Sequence, residues 1–349
     1  MSRQLLLCGL LTGLTLASPA AARADDAVDK AAARVVELGG HVVRAEMDPG
    51  KPVFSVTLSG PGVTDTVLKE LAPLADIKIL SLYRTAVTDD GLAQLKAFPK
   101  IYLLILSGGD FSRAGLKHLA GLRELSYLSL ELPRLAEGDL KALGAAGKVT
   151  ILRLAGPAVT DDVSGDLAAL NALTNLILCG TAVTDAGLAR LAAVKGLTSL
   201  DLTKTEVTEA GLKALAKFAA LESLDLSDAG VTDAGVRELA RLPNAARLTE
   251  LRLDRTAVTG DGLKTLAALK GLRTLSLAGT EIDDLGVRHL ADLPTLRTLS
   301  LAGTAVTDEA FLDLARLKGL TKLDVTGSQV TAGGVAAFRK ALPGCAVTR

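Results

Sequence analysis

The chain is 349 residues long and carries 39 basic and 39 acidic residues, so its formal net charge is zero. The charged residues are scattered rather than clustered, which argues against the basic surface that nucleic-acid binding requires. Apolar residues make up 49% of the chain but aromatic residues only 3%, so we expect an aliphatic core. The length alone would allow two ordinary domains.

Residues 1–24 are predicted to form a signal peptide. Arg3 supplies a positive charge, residues 5–16 form an apolar stretch, and Ala22-Arg23-Ala24 offers a small-x-small cleavage site. The apolar stretch is shorter than the roughly 20 residues that a membrane-spanning helix needs. Cys8 raises the alternative of a lipoprotein, but it lies inside the apolar stretch and follows Leu7 rather than a small residue. We therefore expect an exported protein without a membrane span, in the periplasm or at the cell surface.

Residues 25–52 are predicted to form an N-terminal cap. Residues 25–38 have helical periodicity, and Gly39-Gly40 ends that helix. Residues 41–47 are then predicted to form a strand, and Asp48-Pro49-Gly50 turns the chain. A stack of repeats needs such a cap because its end units would otherwise expose core.

From residue 53 onward one pattern recurs, shown most clearly in residues 197–220 as L-x-x-L-x-L-x-x-T-x-V-T-E-x-G-L-x-x-L. A fixed period of this length indicates a solenoid. We expect twelve units of about 24 residues over residues 53–342, one 27-residue step, and a C-terminal cap over residues 343–349. The eleventh position of the units is held by Val63, Val87, Phe111, Leu135, Val159, Val183, Val207, Val231, Val258, Ile282, Val306 and Val330.

Each unit is predicted to form a strand, a turn and a short helix. Leu200 and Leu202 point inward by strand alternation, whereas Asp201 points out. The hydroxyl of Thr205 can bond a buried backbone group of the turn. Stacked units pair their strands into a parallel sheet, and we expect this sheet to be concave because helices are wider than strands.

The helix of each unit is expected to span about ten residues. Thr208 is a good N-cap, and Glu209 places negative charge where the helix dipole favours it. The recurring glycine, Gly211 in this unit, would cost about 1 kcal/mol against alanine inside a helix. Its repetition predicts close packing of the first helical turn against the neighbouring unit.

This pattern resembles the leucine-rich repeat, specifically the helix-bearing class that is ribonuclease-inhibitor-like or cysteine-containing. The resemblance covers most of the chain and implies a curved solenoid that binds a protein or another ligand on its concave face. It transfers no catalytic residues. The units are also similar to those of F-box adaptor proteins and of exported bacterial repeat proteins, although nothing like an F-box precedes them here. A TIM barrel also alternates strand and helix, but twelve units of 24 residues fit poorly with eight in about 250 residues.

No catalytic or metal-binding constellation is visible. The three histidines, His41, His118 and His289, are far apart in the repeat, and a metal site needs convergent ligands. Paired carboxylates such as Asp89-Asp90 fall at helix starts, where capping is the expected role. Cys179 and Cys345 should lie roughly 30 Å apart, too far for a disulfide. We expect neither a cofactor nor an enzymatic activity.

The outward strand positions carry the predicted binding surface. They are apolar in units two to six, acidic in the middle units (Asp254 among them) and small in the later units. Exposed apolar patches with aromatic and arginine side chains are typical of binding surfaces. Drift in a redundant array would give the same pattern. We predict a monomer that binds a protein partner, with an envelope scaffold as the alternative. The predicted partner-binding residues are Ile79, Tyr83, Arg84, Leu103, Ile105, Tyr127, Ile151, Arg153, Ile177, Asp201 and Asp225.

Overall fold

The computed structural model describes residues 19–45, 52–109 and 111–349, with side chains from Asp26 onward. Most of the predicted signal peptide therefore lies outside the described residues. The first helix, α1, spans Pro19–Glu37, so it begins earlier than the predicted Asp25 and includes the predicted cleavage site. No helix in these three ranges is both long and apolar enough to cross a membrane.

One 14-stranded sheet follows the order of the chain from β1 to β14. β1 pairs antiparallel with β2, and every later pair is parallel. The sheet is open, because β1 and β14 each have only one neighbour, which excludes the TIM barrel. The strands are β1 His41–Arg44, β2 Val53–Ser59, β3 Ile79–Tyr83, β4 Leu103–Ser107, β5 Tyr127–Glu131, β6 Ile151–Ala155, β7 Asn175–Ile177, β8 Ser199–Asp201, β9 Ser223–Asp225, β10 Glu250–Arg252, β11 Thr274–Ser276, β12 Thr298–Ser300, β13 Lys322–Asp324 and β14 Ala346–Thr348.

The helices lie on the convex side and are shorter than expected. In about half of the units a short α-helix is followed by a 3₁₀ turn, as Glu209–Leu212 is by Lys213–Lys217. Such tightening is common at helix ends. The helices after α1 are α2 Asp65–Glu70, α3 Asp89–Gln94, α4 Arg113–Leu116, α5 Asp161–Ser164, α6 Asp185–Leu191, α7 Glu209–Leu212, α8 Asp233–Ala240, α9 Gly260–Leu263, α10 Asp284–Val287, α11 Ala310–Leu314 and α12 Ala332–Ala341.

The core is one continuous aliphatic cluster along the axis of the stack. The inward strand leucines, such as Leu200 and Leu202, are almost fully buried, as are the helical Leu212 and Leu215. Leu135 is only half-buried, unlike the other residues at the eleventh position. At the C-terminal end, β14 lies within the predicted cap and pairs in parallel with β13, which extends the sheet by one strand.

Hydrogen bonds between neighbouring units reinforce this stacking. Asp185 is the first residue of α6, and its carboxylate accepts hydrogen bonds from the amide and the hydroxyl of Thr208 in the next unit. The donor–acceptor distance is 2.8 Å in both bonds. The Thr208 hydroxyl also accepts a bond from its own helix at Ala210, so the predicted N-cap role is confirmed. The same bridge joins Asp65–Thr88, Asp89–Ser112, Asp161–Thr184, Asp233–Thr259, Asp284–Thr307 and Asp308–Thr331.

These bridges explain several of the recurring glycines. A Cβ on Gly262 would lie 2.5 Å from Oδ1 of Asp233 in the preceding unit, closer than real Cβ atoms come. Gly211 meets Asp185 in the same way. The prediction that glycine leaves no room for Cβ against the neighbouring unit is confirmed at these positions, where the obstacle is the bridging carboxylate.

The rule does not extend to every unit. Asp284 keeps its bridge although the next unit has Ala310 at the glycine position, and a Cβ on Gly286 would meet the backbone of Gly260 rather than a carboxylate.

The array is interrupted between units three and five. Arg113 and Glu137 stand at the position of the bridging aspartate in units three and four, and Ala136 stands at the position of the capping threonine in unit four. A different carboxylate compensates: Asp166, from the following unit, accepts hydrogen bonds from the backbone amides of Gly138, at 2.7 Å, and Leu140, at 3.2 Å. Asp166 is only 1% exposed, so this substitute contact is part of the packed interior.

Candidate functional site

The concave face is built from rows of outward side chains that the strand register sets side by side. The first row runs through Ser55, Ile79, Leu103, Tyr127, Ile151, Asn175, Ser199, Ser223, Glu250, Thr274, Thr298 and Lys322. The second row runs through Thr57, Ser81, Ile105, Ser129, Arg153, Ile177, Asp201, Asp225, Arg252, Ser276, Ser300 and Asp324. Consecutive residues in a row belong to adjacent strands, which lie about 4.8 Å apart along the stack.

The register brings the predicted apolar residues together on β3 to β7. Four stand next to one another in the first row, and Ile105 and Ile177 belong to the second. Their side chains are half-buried, so each exposes part of its surface on the concave side. We call this set the apolar patch: Ile79, Leu103, Ile105, Tyr127, Ile151 and Ile177.

Most strands under the apolar patch are longer than those of the later units. β3 to β6 have five residues each, whereas β7 to β13 have three. The sheet is therefore broader under most of the apolar patch than in the later units, although β2, with seven residues, is the longest strand. A broad, regularly hydrogen-bonded sheet holds those side chains in fixed positions, which lowers the entropy cost of binding.

Polar side chains border the apolar patch. Tyr83 and Arg84 lie at the carboxyl end of β3 and are exposed, Tyr83 by 37%. Arg153 is half-buried in the second row, and its Nη1 donates to Ser129 Oγ over 3.5 Å. The predicted aromatic and arginine side chains are thus neighbours of the apolar residues rather than scattered over the surface.

The acidic residues form a separate region on β8 to β10. Asp201 and Asp225 are register partners on adjacent strands, so two carboxylates stand side by side. Each accepts a hydrogen bond from the amide two residues later, at Thr203 over 2.8 Å and Ser227 over 2.9 Å. Like charges directly opposite each other destabilise a sheet.

Four charged residues have a left-handed backbone that the sequence did not predict, and of these only Arg84 was among the predicted site residues. Arg84, Lys204, Asp228 and Arg255 have φ between 50° and 55°; Arg84 directly follows β3, and the other three lie three residues beyond the end of their strands. Other units have glycine there, as at Gly180, because a left-handed backbone favours a residue without Cβ. Aligning the units would have shown the replacement of glycine. Arg255 donates to Asp228 over 2.7 Å, which ties two of these residues together.

Cys179 lies half-buried on the concave side in the sixth unit. Burial raises the pKa of its thiol, and the nearby Asp201 carboxylate raises it further. A raised pKa keeps the thiol protonated and weakly nucleophilic at neutral pH. Burial likewise raises the pKa of the Cys345 thiol, and both cysteines are free. Arg153 and Lys204 near Cys179 act in the opposite direction but do not outweigh burial, so neither thiol is an activated nucleophile.

His118 and His289 follow helices on the convex side, far from the apolar patch. Within the described residues, no group of three or more histidine, cysteine, aspartate or glutamate side chains converges enough to hold a metal ion. The paired carboxylates have structural roles: in Asp283-Asp284 the first caps its own helix at Gly286, and the second bridges to the next unit.

Comparisons with known proteins agree with this architecture. A family model described as "Leucine Rich repeat" matches residues 197–216 and 220–240. The fold is similar to that of an internalin from Listeria monocytogenes, with a TM-score of 0.58, 19% identity and coverage of 93% of this chain and 94% of that chain. A leucine-rich repeat protein of Leptospira interrogans is 17% identical, with a TM-score of 0.44 and coverage of 85% of this chain and 90% of that one. Comparison with curated proteins gives no significant match.

Proposed function

Because the chain is a leucine-rich repeat protein, we propose that it is a non-enzymatic binding protein that holds a protein partner on its apolar patch. The observation that carries the proposal is the clustering of six half-buried apolar side chains on adjacent strands of the concave sheet. Leucine-rich repeat proteins are typical mediators of protein–protein interaction. Tyr83, Arg84 and Arg153 beside the patch supply the side chains that most often anchor such interfaces.

The proposal includes export. It rests on the signal-peptide pattern of residues 1–24. Mass spectrometry of the protein from its native cell tests this part: a mature chain that begins at Asp25 supports export, and one that begins at Met1 contradicts it.

A paired capture experiment tests the binding surface. The immobilised protein is exposed to an extract of the cell envelope, beside the variant Ile105→Asp/Tyr127→Asp. Each substitution places a charge in the apolar patch, so the interface would have to bury an unpaired carboxylate, which is strongly unfavourable. We expect the wild-type protein to retain a specific partner and the variant to lose it.

The control carries the same charges elsewhere on the same face. Thr298 and Ser300 occupy the first and second rows on β12, where both are half-buried. The variant Thr298→Asp/Ser300→Asp should therefore retain the partner, and circular dichroism should show that both variants fold. If the patch variant retains the same partner as the wild type, the apolar patch is not the binding site. That outcome favours an envelope scaffold, whose contacts do not depend on the patch.

A further inference from the structure

The acidic region on β8 to β10 is distinct in its chemistry from the apolar patch. Asp201 and Asp225 are adjacent in the second row, and Asp254 lies two residues beyond the end of β10, whose Arg252 is the register partner of Asp225. Asp254 accepts hydrogen bonds from the Ser276 hydroxyl and from the Ala278 amide, the latter over 2.7 Å. Within the described residues none of these three carboxylates forms a salt bridge.

The two arginines that flank Asp254 in the sequence are already paired. Arg252 follows Asp225 in the second row, but its guanidinium binds Glu250 at 2.7 Å. Arg255 is bound to Asp228 through two of its nitrogens. The chain thus places three carboxylates on one face and directs its own arginines to other acids. A cation from outside the chain could approach the free carboxylate oxygens from the concave side.

A buried hydroxyl gives a second, independent indication of a ligand. Ser227 is only 4% exposed, and its Oγ is one of three buried side-chain oxygens in the described residues without a hydrogen-bond partner. Ser227 lies two residues beyond Asp225, and the intervening Leu226 is fully buried. Ser227 lies beyond the end of β9, at the unit position that Ser107 occupies within β4, where strand alternation places the side chain on the concave side. An unpaired buried hydroxyl costs free energy, and a donor on a bound ligand would remove that cost.

The acidic region also coincides with the irregular unit of the array. The eighth unit has 27 residues instead of 24, and the 3₁₀ turn Ala245–Arg247 lies in its extra length. A Cβ on Gly271 would collide with the Ala246 carbonyl, so the next unit is fitted around this insertion. The insertion leads directly into β10, which carries Glu250 and Arg252.

We propose that units seven to nine form a subsite for a basic side chain of the partner polypeptide, held by Asp201, Asp225 and Asp254 with Ser227 beneath them. The proposal rests on the proposed function, since it adds a basic segment to a partner that binds the apolar patch. The ligand is a lysine or arginine side chain, because its several N–H donors match several carboxylate oxygens and the Ser227 hydroxyl. Partner segments with an apolar stretch next to a basic one fit both regions of the concave face.

Labelled hexa-arginine and hexa-glutamate peptides test the subsite by fluorescence anisotropy with the full chain. We expect saturable binding of hexa-arginine, weakening with salt as charge–charge contacts do, and no binding of hexa-glutamate. The variant Asp201→Asn/Asp225→Asn keeps an acceptor oxygen for the Thr203 and Ser227 amides, so it should fold. It should bind hexa-arginine at least about tenfold more weakly, a loss of roughly 1.4 kcal/mol.

The matched control is Asp292→Asn/Asp324→Asn, which removes the same total charge. Asp324 occupies the second row and accepts the same local amide bond, from Thr326 over 2.9 Å, but has no neighbouring carboxylate in its row. This control should bind hexa-arginine as the wild type does. Equal losses in both variants, binding of hexa-glutamate, or no saturable binding of hexa-arginine would overturn the proposal.

The two proposals can fail separately. The variant Ile105→Asp/Tyr127→Asp should still bind hexa-arginine, because its substitutions lie several strands away from the subsite. If it binds hexa-arginine but also keeps the natural partner, the apolar patch is wrong and the subsite stands. If it loses the partner while Asp201→Asn/Asp225→Asn binds hexa-arginine normally, the subsite is wrong and the apolar patch stands.

Discussion

Replacing Gly262 with alanine should destabilise the protein through a side chain of the neighbouring unit. The new Cβ would lie 2.5 Å from Asp233 Oδ1, so the carboxylate must move. It then loses its hydrogen bonds with the Thr259 amide, at 2.8 Å, and hydroxyl, at 2.7 Å. Two bonds to a charged group are worth about 3 kcal/mol at the low end of their range. Alanine regains about 1 kcal/mol of helix propensity, so the net loss should be about 2 kcal/mol.

A double-mutant cycle isolates this mechanism. Asp233→Ala alone should cost about 3 kcal/mol, because both hydrogen bonds are lost. In Asp233→Ala the nearest remaining atom to a Cβ on residue 262 is the Cα of residue 233, 3.3 Å away. Gly262→Ala should therefore be favourable in that background, and the double variant should be about 2 kcal/mol less stable than the wild type. Additive effects would instead give about 5 kcal/mol.

The free energies of unfolding can be measured by guanidinium denaturation. Slopes that agree among the four proteins would show that the transition is comparable in each. Amide hydrogen exchange at Thr259 gives a local check, since its donor bond is lost in all three variants. If the two substitutions prove additive, the glycine is not required by the Asp233 carboxylate and the account of the bridges is wrong.

Three further predictions concern single side chains. The Thr331 hydroxyl and amide lower the pKa of Asp308, so the stabilising effect of this carboxylate is present at neutral pH and is lost as the pH falls through the lowered pKa. Between about pH 4 and pH 2 the melting temperature should therefore fall less in Asp308→Asn than in the wild type. An equal or steeper fall in the variant would contradict this. Asp166→Ala should lower the free energy of unfolding by about 3 kcal/mol, because two buried amides lose their acceptor; a change below about 1 kcal/mol in denaturant titration would show that the contact is dispensable. Since the pKa of the Cys179 thiol is raised, iodoacetamide at neutral pH should modify the peptide that contains it more slowly in the folded than in the urea-unfolded protein; mass spectrometry measures both rates, and equal rates would refute the prediction.

The repeating architecture could be predicted from the sequence because the same residue pattern recurs in each unit. The inward position of Leu200 and Leu202 follows from strand alternation, and the structure buries both. The turn hydroxyl was predicted to bond a backbone group, and Thr205 Oγ1 donates to the Leu202 carbonyl at 2.7 Å. Local rules suffice for these features, since the partner groups lie within one unit.

Contacts between units were harder to predict. Asp185 was expected to act on its own helix dipole, but its carboxylate also accepts hydrogen bonds from Thr208 in the next unit. A single unit cannot show this partner, because it is one full repeat away in the sequence. The irregular units carry the missing signal: after Arg113, which replaces the bridging aspartate, the next unit has Asp139 rather than glycine.

The binding surface was predictable as a set of positions. The register places Ile79, Leu103, Tyr127 and Ile151 side by side, as the repeat requires. The pattern did not reveal the unpaired hydroxyl of Ser227, because its burial depends on how neighbouring side chains fold over the sheet. The partner-binding role of these residues stays a prediction.

A photo-cross-linking amino acid at position 127 or 285 tests most directly whether the concave apolar patch binds the partner. Tyr127 lies in the patch, whereas Leu285 lies on the opposite, convex side and is 59% exposed, so it controls for random encounters. Cross-linking is carried out in envelope extract and the products are identified by mass spectrometry. The account predicts a single dominant protein adduct at position 127 and none at position 285. The same adduct at both positions, or at position 285 alone, would contradict it.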